Sequence, residues 1–189
     1  MRRPRLGNAG AAAMEFAIFA PVLCLLFAGT IDLGNIVYTR MRVHDALNTG
    51  ANHALVQAAS ATAAKGSGLA VDIARIVRNA GGEPFADASV TLNNGPTTTD
   101  TAAGKTAGGT PAEADRCYCP GVSYGATAPY TKTFTYGSAV ACGAPCSDGG
   151  VKGGKFVRIT ASHPYTVLFA GYGIVADGVI AQTTEVQVL

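Results

Sequence analysis

Tryptophan is absent from this chain of 189 residues, and charged side chains are scarce. Asp, Glu, Lys and Arg make up 14% of the sequence, against about 25% in an average soluble domain. The formal net charge is only +2, so the chain lacks the basic excess of a nucleic-acid interface, and we expect no nucleic-acid partner. Apolar residues reach 48%, which excludes a typical disordered chain.

The apolar excess is concentrated near the N-terminus. From Ala11 to Ile31 the only charged residue is Glu15. A helix over this run is roughly 31 Å long, which matches the bilayer core of about 30 Å. Because Arg2, Arg3 and Arg5 precede the run and few positive charges follow it, the positive-inside rule predicts a single span with a cytoplasmic N-terminus.

Three other interpretations of the run compete with a membrane anchor. A cleaved secretory signal also has a basic start and an apolar stretch, but no clear small-residue cleavage site follows here. Arg2-Arg3 could begin a twin-arginine signal, which Pro4 and Arg5 continue poorly. A buried soluble helix is the third interpretation, and the run is long for one. We favour a retained anchor.

Glu15 is unusual for a simple anchor, because an ionised carboxylate inside a bilayer costs about 2.5–3.5 kcal/mol on insertion scales. It either lies shallow and reaches the headgroups, or it has a function. The sequence from Gly10 to Phe16 is Gly-Ala-Ala-Ala-Met-Glu-Phe. A basic leader, a Gly, then Glu at the fifth place and an aromatic residue at the sixth resemble the processing site of type IV prepilins. The resemblance implies cleavage after Gly10, which would remove a basic leader (residues 1–10) and leave Ala11 as the new amino terminus.

A longer stretch, from Gly10 to about Asn52, is similar to the TadE-like family of pseudopilins from tight-adherence (Flp-type) pilus systems. The matching features are Glu15-Phe16-Ala17, Pro21, the Leu-rich stretch from Leu23 to Leu26, Asp32-Leu33-Gly34 and Tyr38. The family often has a basic residue where this chain has Asn35. Family members also commonly end with Pro, an aromatic residue and Thr beside an aliphatic strand, which Pro164-Tyr165-Thr166 fits.

The resemblance implies a minor pilin or pseudopilin that takes part in assembling a tight-adherence pilus, without enzymatic turnover and without a cofactor. Its partners would be a prepilin peptidase, other pilin-like subunits, the assembly machinery and membrane lipid. It would lie in the bacterial inner membrane with a periplasmic C-terminal domain, or enter the pilus itself. Glu15, with Phe16 beside it, would pair with the free amino terminus of a neighbouring subunit.

Helical periodicity continues beyond the span, because Val43, Leu47, Ala51 and Leu55 recur every four residues. We therefore predict one helix over residues 11–59, with a membrane-spanning half and an outer half. The outer half would pack on its own domain or on a neighbour.

Three residues of this helix have uncertain roles. Pro21 is expected to kink the span, either to fit subunits together or as a tolerated bend without a role. Asp32 is expected to be an interfacial charge. Cys24 is expected to act as a small apolar residue.

The remainder, residues 60–189, is predicted to be a periplasmic α+β domain. A flexible linker over residues 60–68 precedes a second amphipathic helix marked by Leu69, Ile73, Ile76 and Val77. Strands are predicted over residues 88–92, 131–136, 155–163 and 179–189, with a loop over residues 94–114. The predicted fold class is a long N-terminal helix with a small antiparallel sheet, the lollipop shape of type IV pilin-like subunits.

Four cysteines lie beyond the span, at Cys117, Cys119, Cys142 and Cys146. Zinc sites usually combine two C-x₂₋₄-C pairs, and a C-x-C pair is a looser fit. Disulfides are expected outside the inner membrane. A bridge between Cys117 and Cys119 would be strained, so we predict that the two pairs are cross-linked and hold no metal. Each bridge would close a loop of roughly 25 residues and contribute about 3 kcal/mol. Which cysteine joins which stays open.

Catalytic patterns are not evident. His44, His53 and His163 are scattered, and Gly104-Lys105-Thr106 ends like a P-loop but has Thr99 where the first Gly should be. We therefore predict no catalytic residue and no enzyme. A membrane-tethered periplasmic enzyme or a binding domain on a stalk is the alternative.

Overall fold

The computed structural model describes residues 9–80, 84–124, 132–147, 150–167 and 178–189. Two α-helices are present there, α1 (Ala9–Val56) and α2 (Gly66–Arg78), together with short 3-10 helices at Ala58–Ser60 and Pro111–Asp115. The strands are β1 (Asp87–Leu92), β2 (Thr97–Thr101), β3 (Gly104–Gly108), β4 (Cys117–Tyr124), β5 (Lys132–Val140), β6 (Phe156–Pro164) and β7 (Val179–Gln187). The predicted α+β lollipop with a long N-terminal helix is confirmed.

Five strands form an antiparallel sheet in the order β3-β2-β1-β6-β7, and β4 pairs with β5 in a separate hairpin. Alternate side chains of β1 and β6 are apolar and buried on one face of the large sheet, as in the paired residues Val90 and Ile159. Because successive side chains of a strand point to opposite faces, this alternation gives the sheet one apolar face that needs a cover. The face is covered by α1 and α2.

The core between helices and sheet is built from small and branched side chains. The core includes Leu69, Ile73 and Val77 of α2, and Ile36 and Leu47 among others of α1. All of these side chains are nearly inaccessible to solvent. Burying each of the larger side chains contributes about 1.5–3 kcal/mol. The outer half of α1 is therefore part of the domain that it carries, which is the first of the two packing partners that the sequence allowed.

The face of α1 that packs on the domain differs in one detail from the predicted face. Val43 and Leu47 are buried as expected, but Leu55 is 49% exposed, and Ala54 is buried in its place. Three steps of four residues turn a helix by about 120° from its starting face, because an α-helix has 3.6 residues per turn. Residues that repeat strictly every four positions therefore rotate away from the domain-facing side of α1 before Leu55 is reached.

The predicted loop over residues 94–114 is wrong, because much of it forms the hairpin β2–β3. Thr97, Thr98 and Thr99 pair with Ala107 and its neighbours in a regular antiparallel register. β-Branched threonine fits a pleated strand, and Gly104 supplies the positive φ of 136° at the turn. The linker predicted over residues 60–68 is shorter than expected, since α2 already begins at Gly66.

The other strand predictions agree with the structure where they can be compared. The predicted strands at 88–92, 155–163 and 179–189 correspond to β1, β6 and β7, and the one at 131–136 corresponds to β5. β4 was not predicted. Residue 131 and residues 1–8 of the predicted leader lie outside the described residues.

Candidate functional site

The predicted processing site lies in the first turns of α1. Gly10 and Ala11 are both helical, and Gly10 is exposed. Apart from its chain neighbours and its own helix backbone, no described atom lies within 4 Å of the position that a Cβ of Gly10 would take. The outer domain therefore does not cover this position.

The first half of α1 is apolar on all sides and is not packed against the domain. Among the described residues, α1 is the one helix long and apolar enough to cross a membrane. Its large apolar side chains are exposed, and they include Met14, Phe16, Ile18, Phe19, Leu25, Leu26, Phe27 and Ile31. A helix that is apolar all round is stable where lipid or other helices surround it. This half of α1 is thus suited to anchoring the chain in a membrane with a single pass.

Glu15 is the exception on this apolar surface. Its side chain is exposed, and Phe16 beside it is 67% exposed. No ion pair within the described parts of the chain involves Glu15. The structure therefore presents a carboxylate on the outside of an otherwise apolar helix.

The junction between the span and the domain is a hydrogen-bonded contact between Asp32 and Tyr165. The Tyr165 hydroxyl lies 2.7 Å from the Asp32 carboxylate and 3.1 Å from the Asp32 carbonyl oxygen. Burial, the hydrogen bond and the Asp32 charge together raise the pKa of Tyr165 to about 12, because each disfavours a tyrosinate there. Asp32 is only 4% exposed, so the sequence-based expectation of a charge turned towards the membrane interface is wrong: the carboxylate turns into the domain.

Stacked side chains make a second contact between α1 and the domain. They lie one to three turns beyond Asp32 along the helix. The Arg42 guanidinium lies 4.0 Å from the Phe85 ring centroid, and Phe85 stacks on His163 at 4.3 Å. Arg42 also lies 5.9 Å from the Tyr38 ring. Cation–π contacts of this kind contribute about 0.5–1 kcal/mol at exposed sites. The contacts fix α1 to the ends of β1 and β6.

An exposed apolar strip lies along α1 beyond the span. Leu33, Val37 and Met41 recur every four residues and are 49–61% exposed, with Tyr38 beside them. The strip extends the apolar surface of the span by about 15 Å. Over residues 44–52 of the same helix the exposed residues are polar, as at His44 and Asp45, before Leu55 and Val56 are exposed at its end. The apolar strip therefore ends within the outer half of α1.

The four cysteines beyond the span form two disulfides. Cys117 pairs with Cys142 and Cys119 with Cys146, at sequence separations of 25 and 27 residues. Each cysteine of the C-x-C pair is thus joined to one of the C-x₃-C pair, and the four thiols do not surround a common centre. Cys24 in the span is free. Among the described residues, no group of three or more His, Cys, Asp or Glu side chains could hold a metal ion.

The disulfide-bonded hairpin β4–β5 meets the large sheet through a buried charged contact. The Tyr136 hydroxyl donates to the Glu185 carboxylate, and the Arg158 guanidinium lies 3.3 Å from the same carboxylate. Burial and the contact with Glu185 raise the pKa of the Tyr136 hydroxyl well above its ordinary value. Tyr136 also stacks on Phe156, with 5.6 Å between the ring centroids. These contacts hold the hairpin on the sheet surface away from the helices.

Two of the open clefts lined by described residues lie in the outer domain. One, of about 400 Å³, lies between the end of α1 and the start of α2 and includes His53, Lys65 and Asp72. The other, of about 330 Å³, includes Cys142 and Lys152. The polar side chains that line each cleft come from separate helices, strands or turns. Neither cleft brings His44, His53 and His163 together.

Comparison with known proteins adds one match. A family model described as TadE-like protein matches residues 10–52. No curated protein and no solved structure matches the chain significantly. The matched segment holds Gly10, Glu15 and Asp32, together with the apolar strip, and it supports a protein associated with the tight-adherence pilus. Over this segment, which is most of α1, the chain is similar to the TadE-like family.

Proposed function

We propose that this chain is a minor pilin or pseudopilin of a tight-adherence pilus, and that it acts by packing against other subunits. The observation that carries the proposal is the exposed Glu15 carboxylate on an apolar helix that matches the TadE-like model. A charge in lipid is tolerated when it is paired. Cleavage after Gly10 by a prepilin peptidase would create the partner, an ammonium group on Ala11.

The position of the charge constrains how two subunits would meet. Ala11 and Glu15 are four residues apart in one helix, which corresponds to an axial rise of about 6 Å. For the Glu15 carboxylate of one subunit to reach the amino terminus of a neighbour, the two helices would be displaced along their axes by about one turn. Each added subunit would then satisfy one carboxylate and one ammonium group.

The apolar strip supports subunit packing beyond the span. Leu33, Val37 and Met41 are exposed, whereas Asp32 and Ile36 on the side of α1 that holds the domain are buried. A neighbouring α1 could therefore lie against the strip without displacing the domain. Exposed apolar surface of this kind is typical of an interaction site.

The orientation follows from charge and from the cysteines. The arginines before the span would stay in the cytoplasm, and the disulfide-bonded domain would lie in the periplasm, where disulfides persist. In this arrangement residues 1–10 are the leader, residues 11–59 the anchor and extended helix, and residues 60–189 the periplasmic domain.

The processing step is tested by the intact mass and N-terminal sequence of the membrane-extracted protein. We expect a chain that begins at Ala11. We expect Gly10→Val to remain full length, because a branched side chain at this position hinders the close approach of a peptidase to the backbone. A wild-type chain that begins at Met1, or one cut beyond Thr30, contradicts the proposal.

The pairing step is tested by Glu15→Gln, which keeps the shape of the side chain and removes its charge. We expect normal processing and insertion, and loss of the protein from the sheared pilus fraction or loss of pilus formation. Met14→Ala is the matched control, since Met14 is the neighbouring exposed side chain and carries no charge. Equal assembly of Glu15→Gln and wild type would exclude charge pairing as the basis of assembly.

A further inference from the structure

We infer that the cleft beside Cys142 is the docking site of a thiol–disulfide oxidoreductase, and that Cys142 is the cysteine that bonds to this partner. The inference rests on the two disulfides of the outer domain and is independent of the role in pilus assembly. Such a partner carries a reactive cysteine and exchanges disulfides through a mixed-disulfide intermediate. The order in which the four cysteines are joined shows why the chain needs this chemistry.

The two disulfides interlace along the chain. Cys117 is joined to Cys142 and Cys119 to Cys146, so neither bridge joins two cysteines that follow one another in the sequence. Cys142 and Cys146 are only four positions apart, whereas the native partners are separated by 25 and 27. Because loop closure becomes rarer with about the 3/2 power of loop length, the Cys142–Cys146 bridge forms roughly tenfold more readily in the unfolded chain. Oxidation therefore first yields a bridge that folding must break.

Accessibility selects Cys142 as the point of attack. Cys142 is exposed, whereas Cys119 is half-buried. Cys146 is 8% exposed, and Cys117 is fully buried. Disulfide exchange requires a thiolate to reach a sulfur atom, so access decides which cysteine reacts first. A protein partner therefore meets Cys142 before the other three.

The surroundings of Cys142 leave room for a protein partner. Cys142 lines an open cleft of about 330 Å³ together with Gly143 and Lys152. Gly143 has a φ of 78°, and apart from its chain neighbours no described atom lies within 4 Å of the position that its Cβ would take. The Gly143 amide donates to the Gly153 carbonyl, and the Gly153 amide donates to the Ala144 carbonyl, each at 2.8 Å. The turn is thus fixed by hydrogen bonds, and bare backbone beside the disulfide lets another chain approach closely.

The charge of the cleft favours the same chemistry. Lys152 is exposed, and among the described residues no Asp or Glu side chain lines this cleft. A nearby ammonium group stabilises the thiolate that attacks or leaves in disulfide exchange. Lys152 therefore favours the anionic sulfur that exchange creates at Cys142.

The rearrangement to the native pairs takes three balanced steps. A partner thiolate attacks the Cys142 sulfur of the Cys142–Cys146 bridge, the bond between the two sulfurs breaks, and Cys146 leaves as a thiolate that takes up a proton. Cys117 loses its proton to solvent and attacks the same Cys142 sulfur, and the partner leaves as a thiolate. Cys119 and Cys146 then lose two electrons and two protons to the disulfide of an oxidised oxidoreductase, which becomes a dithiol.

Docking is tested with four variants of the full-length chain in detergent micelles, each of which lacks one disulfide cysteine. Cys117→Ser leaves Cys142 as a free thiol, and the other three replacements free Cys117, Cys119 or Cys146 in the same way. Every variant also carries Cys24→Ala, because Cys24 is free. Mass spectrometry checks that the remaining native bridge is intact. The probes are glutathione and a single-cysteine thioredoxin, each activated as a mixed disulfide with thionitrobenzoate.

We expect thioredoxin to bond to the free Cys142 about tenfold faster than to the other thiols, and its preference for Cys142 to exceed that of glutathione. Lys152→Gln in the Cys117→Ser chain should slow capture about twofold to threefold. Lys105→Gln should not, since Lys105 lies on β3 outside the cleft. Equal capture by the four thiols, or fastest capture by another one, would overturn the inference. A thioredoxin preference no greater than that of glutathione would also overturn it, because accessibility alone would then explain the reaction.

The pairing step is tested by re-oxidising the reduced Cys24→Ala chain in a glutathione buffer, with and without thioredoxin. Blocking of thiols with N-ethylmaleimide and peptide mapping should show the Cys142–Cys146 bridge first and the native pairs later. Thioredoxin should shorten the delay between them. Direct formation of the native pairs, at a rate that thioredoxin leaves unchanged, would overturn the inference even if the single-cysteine replacements failed to fold.

Discussion

Gly50 lies at a close contact between α1 and the rest of the outer domain, and its replacement tests how α1 is held. A Cβ at this position would lie 2.5 Å from Cγ2 of Val77 and 3.4 Å from Cγ2 of Ile73. The Ile159 side chain follows at 3.5 Å. Val77 is fully buried and β-branched, and a β-branched side chain in a helix has one strongly preferred χ1 rotamer, so it has little freedom to move aside. Gly50→Ala therefore requires α1 and α2 to move apart.

The magnitude follows from two opposing effects. Forcing an extra methyl group into a well-packed core costs about 1–3 kcal/mol. Ala is favoured over Gly in a helix interior by about 1 kcal/mol. We therefore expect Gly50→Ala to lower the free energy of unfolding of the outer domain by up to about 2 kcal/mol.

Gly34→Ala is the matched control in the same helix. Apart from the helix itself, no described atom lies within 4 Å of its Cβ position, so the substitution brings the gain in helix propensity without a clash. The difference between the two variants isolates the clash and should be about 1–3 kcal/mol.

The assay is denaturant unfolding of full-length protein in detergent micelles, followed by tyrosine circular dichroism and by hydrogen exchange of α2 amides. Faster exchange in α2 of Gly50→Ala, with none in Gly34→Ala, is the expected pattern. If both variants are stabilised by the same amount, α1 does not pack on α2 at Gly50, and the described core is wrong.

Three further predictions concern contacts that hold the domain together. Tyr165→Phe should cost about 1.5–3 kcal/mol, because it removes a hydrogen bond to the charged Asp32; an unchanged unfolding free energy would contradict the contact. Since the pKa of Tyr165 is raised from 10.0 to about 12, its stabilising effect should be complete below pH 10 and be lost as the pH rises through 12, which a spectrophotometric titration of tyrosinate against Tyr165→Phe measures. Replacing both Cys119 and Cys146 by Ser should destabilise the β4–β5 hairpin by about 3 kcal/mol, measured by hydrogen exchange, whereas an unaffected hairpin would show that the bridge is dispensable. Asn93→Ala should cost at least about 1–3 kcal/mol in thermal unfolding, because the buried Asn93 amide bonds three backbone carbonyls and its φ is 50°; equal stability would mean that water replaces the amide.

The features that sequence predicted well are local in the chain. The apolar run of α1 follows from composition and length, and the α2 face and the strands β1 and β6 follow from periodicity. Gly10, Ala11 and Glu15 stand out because their spacing lies within a few residues, and their roles in processing and assembly remain predictions. Each of these features depends on interactions with residues nearby in sequence, or with a uniform environment such as lipid.

The features that sequence missed depend on partners far away in the chain. The β2–β3 hairpin was predicted as a loop because Thr, Gly and Ala are common in both, and only pairing with β1 favours the strand. The disulfide connectivity was open because it depends on how β4 pairs with β5 and on the turn after β5. Both disulfides agree with the predicted cross-linking between the two cysteine pairs.

Sequence by itself determined that this chain carries one apolar helix long enough for a membrane, with a single carboxylate near its start, because hydrophobicity and charge act wherever the residue is placed. Only the tertiary structure decided which side of that helix the domain occupies. Asp32 illustrates the difference: in sequence it is a charge just beyond the span, and in the structure it is a buried partner of Tyr165, 133 residues away. A buried charge is tolerated only where another group supplies a hydrogen bond. Here that group is the Tyr165 hydroxyl, which comes near Asp32 only once the chain has folded.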